Sequence, residues 1–242
     1  MKTLLLTELR LFRREPGPAF WGMVFPVALL IVLGSTVGNK PDVSLGGVGF
    51  ITVFTPVMTV FSLGLLSLSS LPSTLAGYRD KGYLRRLSTT PVGAWRMLAA
   101  QLIIVACLAA AVIVVITLVS HFAFGGDLAQ NFGGWLLTIV LLMSAMLSFG
   151  LLIASLAPTG KIANVAGSMS FFVLMFFAGL WVPQAAMGST LRTIAHYTPL
   201  GAGVPAIQNA AAGLWPGTNH LLVLVGYTIV LALLAGRFFR WE

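Results

Sequence analysis

Few residues in this chain of 242 have side chains and spacings that could support catalysis. The histidines, at positions 121, 196 and 220, form no His-Glu-x-x-His pattern, and no Gly-x-Ser-x-Gly motif occurs. The nearest approach to a phosphate-binding loop runs from Ser155 to Lys161, but it lacks the first glycine and the hydroxyl residue that would meet magnesium. The sequence therefore predicts a protein that is not itself an enzyme and holds no metal or cofactor.

Cys107 is the single cysteine and lies inside an apolar run. One cysteine excludes a disulfide within the chain and makes a thiolate metal site improbable. We predict that Cys107 is a small buried apolar residue.

Hydroxyl side chains form a more regular pattern. They recur every three or four residues and so project from one side of a helix: Thr52, Thr55, Thr59, Ser62, Ser69 and Ser73. Such a stripe can line an aqueous or amphiphile-accepting path or let two helices pack closely, and the residues alone favour neither. A weaker, mixed stripe follows later in the chain: Asn164, Ser168, Phe172, Met175 and Gly179.

The composition predicts that helices in a lipid bilayer carry these stripes. Apolar residues make up 58 % of the chain and charged residues only 8 %, whereas a soluble domain has about 25 % charged residues. The apolar residues form long unbroken runs, not the alternation of a barrel strand. A net charge of +8 does not indicate nucleic-acid binding here, because the basic residues cluster between the apolar runs. We therefore predict an all-α membrane protein.

Six runs are long enough to cross a hydrocarbon core about 30 Å thick. They lie at Phe20–Val37, Gly49–Leu71, Met97–Phe122, Phe132–Ala157, Ile162–Val182 and His220–Gly236. The segment Pro183–Asn219 is too interrupted by glycine and proline to span, and we predict that it forms short re-entrant helices in the outer leaflet. The whole chain, residues 1–242, is then one transmembrane domain.

Six spans place both termini on one side of the membrane, and the basic residues indicate which side. With cytoplasmic termini, twelve of the fourteen lysines and arginines are cytoplasmic, and only Lys40 and Arg192 are outside. All six tryptophans fall near predicted span ends, where indole rings prefer to lie: Trp21, Trp95, Trp135, Trp181, Trp215 and Trp241. We predict a plasma membrane location, the inner membrane if the source is bacterial.

Two cytoplasmic segments are predicted to do more than connect spans. Residues Met1–Glu15 separate apolar from basic side chains at helical periodicity, which is typical of an interfacial amphipathic helix. The loop Tyr78–Pro91 contains Leu84 and Leu87 on one face of a short helix that suits docking to a soluble partner. In both cases the alternative is a basic flank that only sets the topology.

The order of these parts resembles the type-2 permeases of ATP-binding-cassette exporters over nearly the whole chain. The most specific element is the loop after the second span, which reads Asp80-Lys81-Gly82, then Leu84, Leu87 and Thr90-Pro91. The late chain is also similar, with Phe177-Ala-Gly-Leu-Trp-Val-Pro183 closing the fifth span and Thr198-Pro199-Leu200 before the last. The loop departs from the family pattern at Arg79-Asp80 and at Tyr83.

The resemblance implies a permease half that works with other chains. A cytoplasmic ATPase subunit would supply ATP and magnesium, and a second permease copy or a paralogue would complete the path. The loop would be the coupling helix that meets the ATPase, through Arg79, Asp80, Lys81, Gly82, Leu84, Arg85, Leu87, Thr90 and Pro91. The second and fifth spans would line the path, which singles out Thr52, Thr55, Thr59, Ser62, Asn164, Ser168, Phe172 and Met175.

The predicted mechanism is alternating access driven by the ATPase. No Asp, Glu, Lys or Arg lies within a predicted span, and intramembrane charges commonly mark ion paths. Their absence favours an amphiphilic cargo such as a drug, an antibiotic or a lipid. The main alternative is a stand-alone secondary transporter or channel, although the chain has no convincing internal repeat.

Overall fold

The computed structural model describes residues 17–42, 47–80 and 94–238. The predicted interfacial helix Met1–Glu15 lies outside these residues, as does the loop 78–91 from Lys81 onward. The helices in chain order are α1 (Gly17–Val37), α2 (Phe50–Leu65), α3 (Leu71–Asp80), α4 (Ala94–Phe124), α5 (Phe132–Leu156), α6 (Gly160–Ala178), α7 (Ser189–His196), α8 (Pro199–Ala211) and α9 (Thr218–Phe238).

Long apolar helices dominate the described chain, which confirms the prediction of an all-α membrane protein. Within the described residues, five helical stretches are long and apolar enough to cross a bilayer, and Trp21–Val37 is a shorter apolar stretch. The count of six spans therefore stays a prediction. One small departure from an all-helical chain is an antiparallel pair of two-residue strands, β1 (Pro41–Asp42) and β2 (Val48–Gly49).

Side-chain caps and glycine define several helix ends. Asn131 accepts a hydrogen bond from the Gly134 N–H at 3.0 Å and so begins α5. The Thr159 and Thr198 hydroxyls do the same for α6 and α8, as expected for side chains that satisfy the first free N–H groups of a helix. Gly179 ends α6 with a φ of 90°, a left-handed conformation that favours glycine. The helix α6, which corresponds to the fifth predicted span, thus ends at Ala178, four residues before the predicted end at Val182.

The helices alternate in direction and define two ends of the bundle. At the end where α1 begins, called the near end, the Arg79 Nη1 lies 3.3 Å from the carbonyl oxygen of Ser155. At the opposite, far end, Asn39 Nδ2 donates to the carbonyl of Gly125, and the Asn131 N–H donates to the carbonyl of Ala210. Successive long helices therefore run in opposite directions, whereas α5 and α9, which pack together, run in the same direction.

The second apolar helix is the centre of this bundle. In its most apolar stretch within 50–80, 72 % of the residues are buried inside the chain, compared with 17 % for α9. The largest fully buried side chains lie mainly on it: Ile51, Met58, Leu63, Leu66, Leu68, Leu71 and Leu75. α9 therefore exposes far more of its surface than α2 and α3 do.

A π-helical turn, Leu66–Ser70, joins α2 to α3 in one continuous helix. The predicted span ended at Leu71, but the helix continues to Asp80. π turns insert one additional residue into an α-helix and leave backbone carbonyls without their usual partners. Here the turn and its neighbours are buried, so adjacent helices must accommodate those carbonyls.

The segment after α6 forms two short helices at the far end, α7 and α8, preceded by a 3-10 turn at Gln184–Ala186. A pair of short helices is what the sequence predicted here, and their depth in the outer leaflet stays a prediction. α8 is largely buried and packs on α5, α6 and α9. The exposed indoles of Trp21, Trp95, Trp181 and Trp215 lie at or near helix ends.

Candidate functional site

The hydroxyl stripe of α2 faces the interior of the chain's own bundle. Thr59 is 2 % exposed and Ser62 is fully buried. The hydroxyls of Thr55, Thr59 and Ser62 each donate to the carbonyl four residues earlier, at 2.7 to 3.0 Å. The sequence left open whether these residues line a path or pack between helices. Within this single chain they pack between helices, and their part in a path stays a prediction.

Two hydroxyl contacts connect this helix with its neighbours. Thr55 Oγ1 lies 2.8 Å from Ser120 Oγ of α4, and Ser69 Oγ lies 3.3 Å from Ser168 Oγ of α6. Thr52 is half-buried in the first turn of α2, at the far end. The second contact brings together one member of each predicted stripe.

The α6 stripe divides between the interior and the surface. Met175 is fully buried and Ser168 is half-buried. Asn164 is exposed, as is Phe172, whose ring stacks on Trp181 with centroids 6.2 Å apart and an interplanar angle of 22°. The exposed side of α6 therefore combines one amide with a stacked aromatic pair.

Of the predicted coupling residues, the structure describes Arg79 and Asp80, which lie at the near end. Arg79 is half-buried and Asp80 is exposed at the end of α3. The Arg79 guanidinium donates to the backbone carbonyls of Ser155 and Ala157, where α5 ends. The other predicted coupling residues, Lys81, Gly82, Leu84, Arg85, Leu87, Thr90 and Pro91, lie outside the described residues.

Sequence reasoning missed the glycines that let the neighbouring helices approach the π turn. A Cβ atom at Gly150 of α5 would overlap the carbonyl oxygen of Ser67, and one at Gly167 of α6 would overlap that of Leu68. Only glycine permits such close backbone contact. The two glycines lie in Ser-Phe-Gly150 and Val-Ala-Gly167-Ser, and the small residues in these segments indicate close packing but do not reveal the partner helix.

A pair of histidines lies outside the predicted site. His196 Nδ1 and His220 Nε2 are 2.8 Å apart at the far end, which connects α7 with α9.

Across residues 17–42, 47–80 and 94–238, no three His, Cys, Asp or Glu side chains come together as a metal site requires. Cys107 is exposed on the surface of α4, so the prediction that it is buried was wrong: α4 is apolar on both its buried and its exposed sides, and an apolar run does not show which residues are buried.

Comparison with known proteins agrees with this architecture. A family model described as the ABC-2 type transporter matches residues 1–211, most of the chain. No curated protein matches the chain. The matched region includes the central helix, the loop 78–91 and the far-end helices α7 and α8. The chain therefore belongs to the ABC-2 type transporter family, as a multi-pass membrane permease subunit.

Proposed function

We propose that this chain is the permease half of an ATP-driven exporter that moves an amphiphilic molecule out of the cell by alternating access. ATP binding and hydrolysis take place on a separate cytoplasmic ATPase subunit that contacts the near-end loop 78–91. A second permease copy or a paralogue completes the path. Hydrolysis then biases a helix bundle between two arrangements, as in other coupled transitions.

The observation that supports an amphiphilic cargo is the exposed side of α6. Phe172 and Trp181 offer a stacked aromatic surface, and Asn164 adds an amide that can donate and accept hydrogen bonds. Such a surface can contact an apolar ring or chain and one polar group. A second copy facing this side would enclose it between two aromatic pairs.

Charge supports the placement of the ATPase at the near end. The basic residues Arg79, Arg96, Lys161 and Arg237 all lie at helix ends there. Lysine and arginine accumulate on the cytoplasmic side of membrane proteins. The near end then faces the cytoplasm, which is where ATP is available.

Reconstitution tests the proposal. The chain is purified from its native membrane with the ATPase that accompanies it, and both are placed in proteoliposomes with a fluorescent lipophilic dye. We expect dye transport that requires ATP and stops when the P-loop lysine of the ATPase is replaced by alanine. Transport by this chain alone, without an ATPase, would instead support a secondary transporter or channel.

Cargo preference tests the α6 surface. We expect Phe172→Ala to change the order in which a panel of lipophilic dyes is transported, because it removes half of the stacked pair. Ile229→Ala is the matched control, since Ile229 is 54 % exposed on α9 and Phe172 is 59 % exposed on α6. An unchanged order of dyes in the Phe172 variant would show that this surface does not contact cargo.

A further inference from the structure

Arg79 makes its contacts inside the permease. It lies two positions before the first residue of the loop segment that the structure leaves undescribed, yet its guanidinium points to the backbone of residues 155–157. The carbonyls there belong to the last turn and cap of α5, which have no partner within their own helix. A cation at a helix carboxyl terminus also meets the negative end of the helix dipole.

The short connection between α5 and α6 is seated on α3 by more than this one side chain. We call residues 155–160 the elbow. Ala157 of the elbow, Ala76 of α3 and Ala163 of α6 form a separate buried cluster, with each side chain at most 5 % exposed. Small side chains allow helices to approach closely, so the elbow has little room to slide over α3.

Glycine removes the remaining space between the elbow and α3. A Cβ atom at Gly160 would lie 3.1 Å from the Ser73 carbonyl oxygen and 3.2 Å from the Gly77 Cα. Those distances are tighter than most side chains allow, so only glycine fits without adjustment. α6 therefore begins in direct backbone contact with the helix that leads into the loop.

We propose that Arg79 is a positioning residue that makes the loop-bearing end of α3 and the elbow move as one unit. The inference rests on the proposed function, because it concerns how movement of the loop reaches the path. A push on the loop displaces α3, and the two bonds from Arg79 move the ends of α5 and α6 with it. Arg79 thus acts within the permease, where the resemblance had implied contact with the ATPase.

The geometry explains why arginine is used. Its planar guanidinium can donate to two carbonyls at once, whereas the lysine ammonium is a single point charge on a flexible stem. The acceptors are backbone atoms, which cannot be neutralised by a change of pH. The two hydrogen bonds therefore do not depend on the protonation of a partner side chain.

The test compares transport with hydrolysis in the full complex. Permease variants are reconstituted with the ATPase, and lipophilic dye transport and ATP hydrolysis are measured in the same proteoliposomes. For Arg79→Gln we expect hydrolysis within twofold of the natural protein and at least a fivefold loss of transport per ATP. Arg79→Lys should recover part of that loss. Unchanged transport per ATP in Arg79→Gln would overturn the proposal.

Arg96→Gln is the matched control. Arg96 is a basic residue at the same end of the bundle, but its guanidinium lies over the Trp95 ring at 5.8 Å from the centroid. We expect its replacement to leave transport per ATP unchanged. An equal loss in both variants would show that positive charge at the near end, and not the bond to the elbow, sets the coupling.

Hydrogen–deuterium exchange provides a readout that does not need the ATPase. In the purified permease, Arg79→Gln should speed amide exchange in a peptide covering the elbow at least tenfold, with Arg79→Lys between the two. If the natural complex shows no ATP-dependent transport, the proposed function fails while this measurement still tests the contact. Unchanged exchange in both variants would contradict the inference, whatever the transport assay shows.

Discussion

Arg192 shows how a single charged side chain is accommodated at the far end. Its guanidinium donates to the carbonyls of Gln184, Ala185 and Met187 at 2.8 to 3.1 Å. One side chain thereby satisfies the turn that leads from α6 to α7. This contact gives a structural reason for one of the two basic residues that the predicted topology placed outside.

We expect Arg192→Gln to loosen that turn, because a shorter neutral side chain cannot reach three carbonyls. The cost should be about 1 kcal/mol in the free energy of unfolding, the usual net value of a hydrogen bond. Thermal unfolding in detergent measures it. Lys40→Gln removes the same charge from the same end and should have a smaller effect; an equal effect would assign the result to charge alone.

The glycines that face the π turn give a sharper prediction. Gly167→Ala and Gly150→Ala place a methyl group against the carbonyls of Leu68 and Ser67, and overpacking of this kind costs about 1–3 kcal/mol. We expect both variants to unfold at a lower temperature than the natural protein.

Matched controls for these variants lie on α9. A Cβ atom at Gly226 or Gly236 meets no atom within 4 Å, and alanine in a helix is favoured over glycine by about 1 kcal/mol. Gly226→Ala and Gly236→Ala should therefore leave stability unchanged or raise it. If all four variants behave alike, helix propensity and not close contact governs these positions.

At the scale of single residues, the sequence predicted which face of a helix a side chain occupies better than which atom it bonds to. The spacing of Thr55, Thr59 and Ser62 correctly places them on one helix, but a hydroxyl can bond to its own helix or to another molecule. All three bond to their own backbone. Spacing alone cannot decide between these outcomes, because both are satisfied by the same helical face.

Asn39 illustrates how a loop residue can organise several elements. Its Oδ1 accepts from the N–H groups of Ile51 and Thr52, at 3.1 and 3.3 Å, in the first turn of α2. Its Nδ2 donates to the carbonyl of Gly125 just after α4. The far ends of three apolar helices are therefore connected through one amide.

Replacement of Asn39 separates these two contributions. Asn39→Ala should lower the free energy of unfolding by about 1–2 kcal/mol, the range for loss of a helix cap. Asn39→Asp keeps the oxygen that caps α2 but removes the N–H group that reaches Gly125. Chemical unfolding in detergent should place the aspartate variant between the other two; an aspartate variant as weak as alanine would assign the stability to the Gly125 contact.

The histidine pair connects α7 with α9 in a similar way. The 2.8 Å separation of His196 Nδ1 and His220 Nε2 allows one ring to donate to the other. We expect His196→Phe and His220→Phe to be non-additive in a double-mutant cycle, with a coupling energy of about 1 kcal/mol. Additive effects would show that the two rings do not depend on each other.

The sequence predicted which segments form long helices more closely than it predicted where the helices end or how they are wound. Apolar runs located all the long helices to within a few residues at most ends. The continuation of the central helix from Leu71 to Asp80 was missed, because Tyr78, Arg79 and Asp80 are polar residues that lipid would not accept. The π turn was missed because its residues, Leu66–Ser70, have nothing in their order that distinguishes them from α-helix.

For the whole molecule, the distribution of charge sets the orientation. We expect the near end to face the cytoplasm, because four described basic residues lie there at helix ends and two, Lys40 and Arg192, lie at the far end. Single cysteines at Leu128 of the far end and Pro158 of the near end, introduced with Cys107→Ala, report this directly. Both positions are exposed.

A membrane-impermeant maleimide applied to intact cells should label the cysteine at position 128 and spare that at position 158. Labelling of the cysteine at position 158 should require lysed or permeabilised cells. The reverse pattern would place the near end outside and would remove the basis for an ATPase at the loop 78–91. The Cys107→Ala protein without either introduced cysteine provides the background signal.

The π turn has a consequence for how the chain tolerates changes in length. A π turn takes up one additional residue in a wider turn, so the helix after Leu66–Ser70 keeps the azimuth that a regular α-helix one residue shorter would give it. Deletion of one codon there would therefore restore regular winding and leave α3, with Arg79, facing the elbow. Such a deletion should preserve coupling in the reconstituted complex, whereas a loss of coupling would show that α3 has turned away from the elbow.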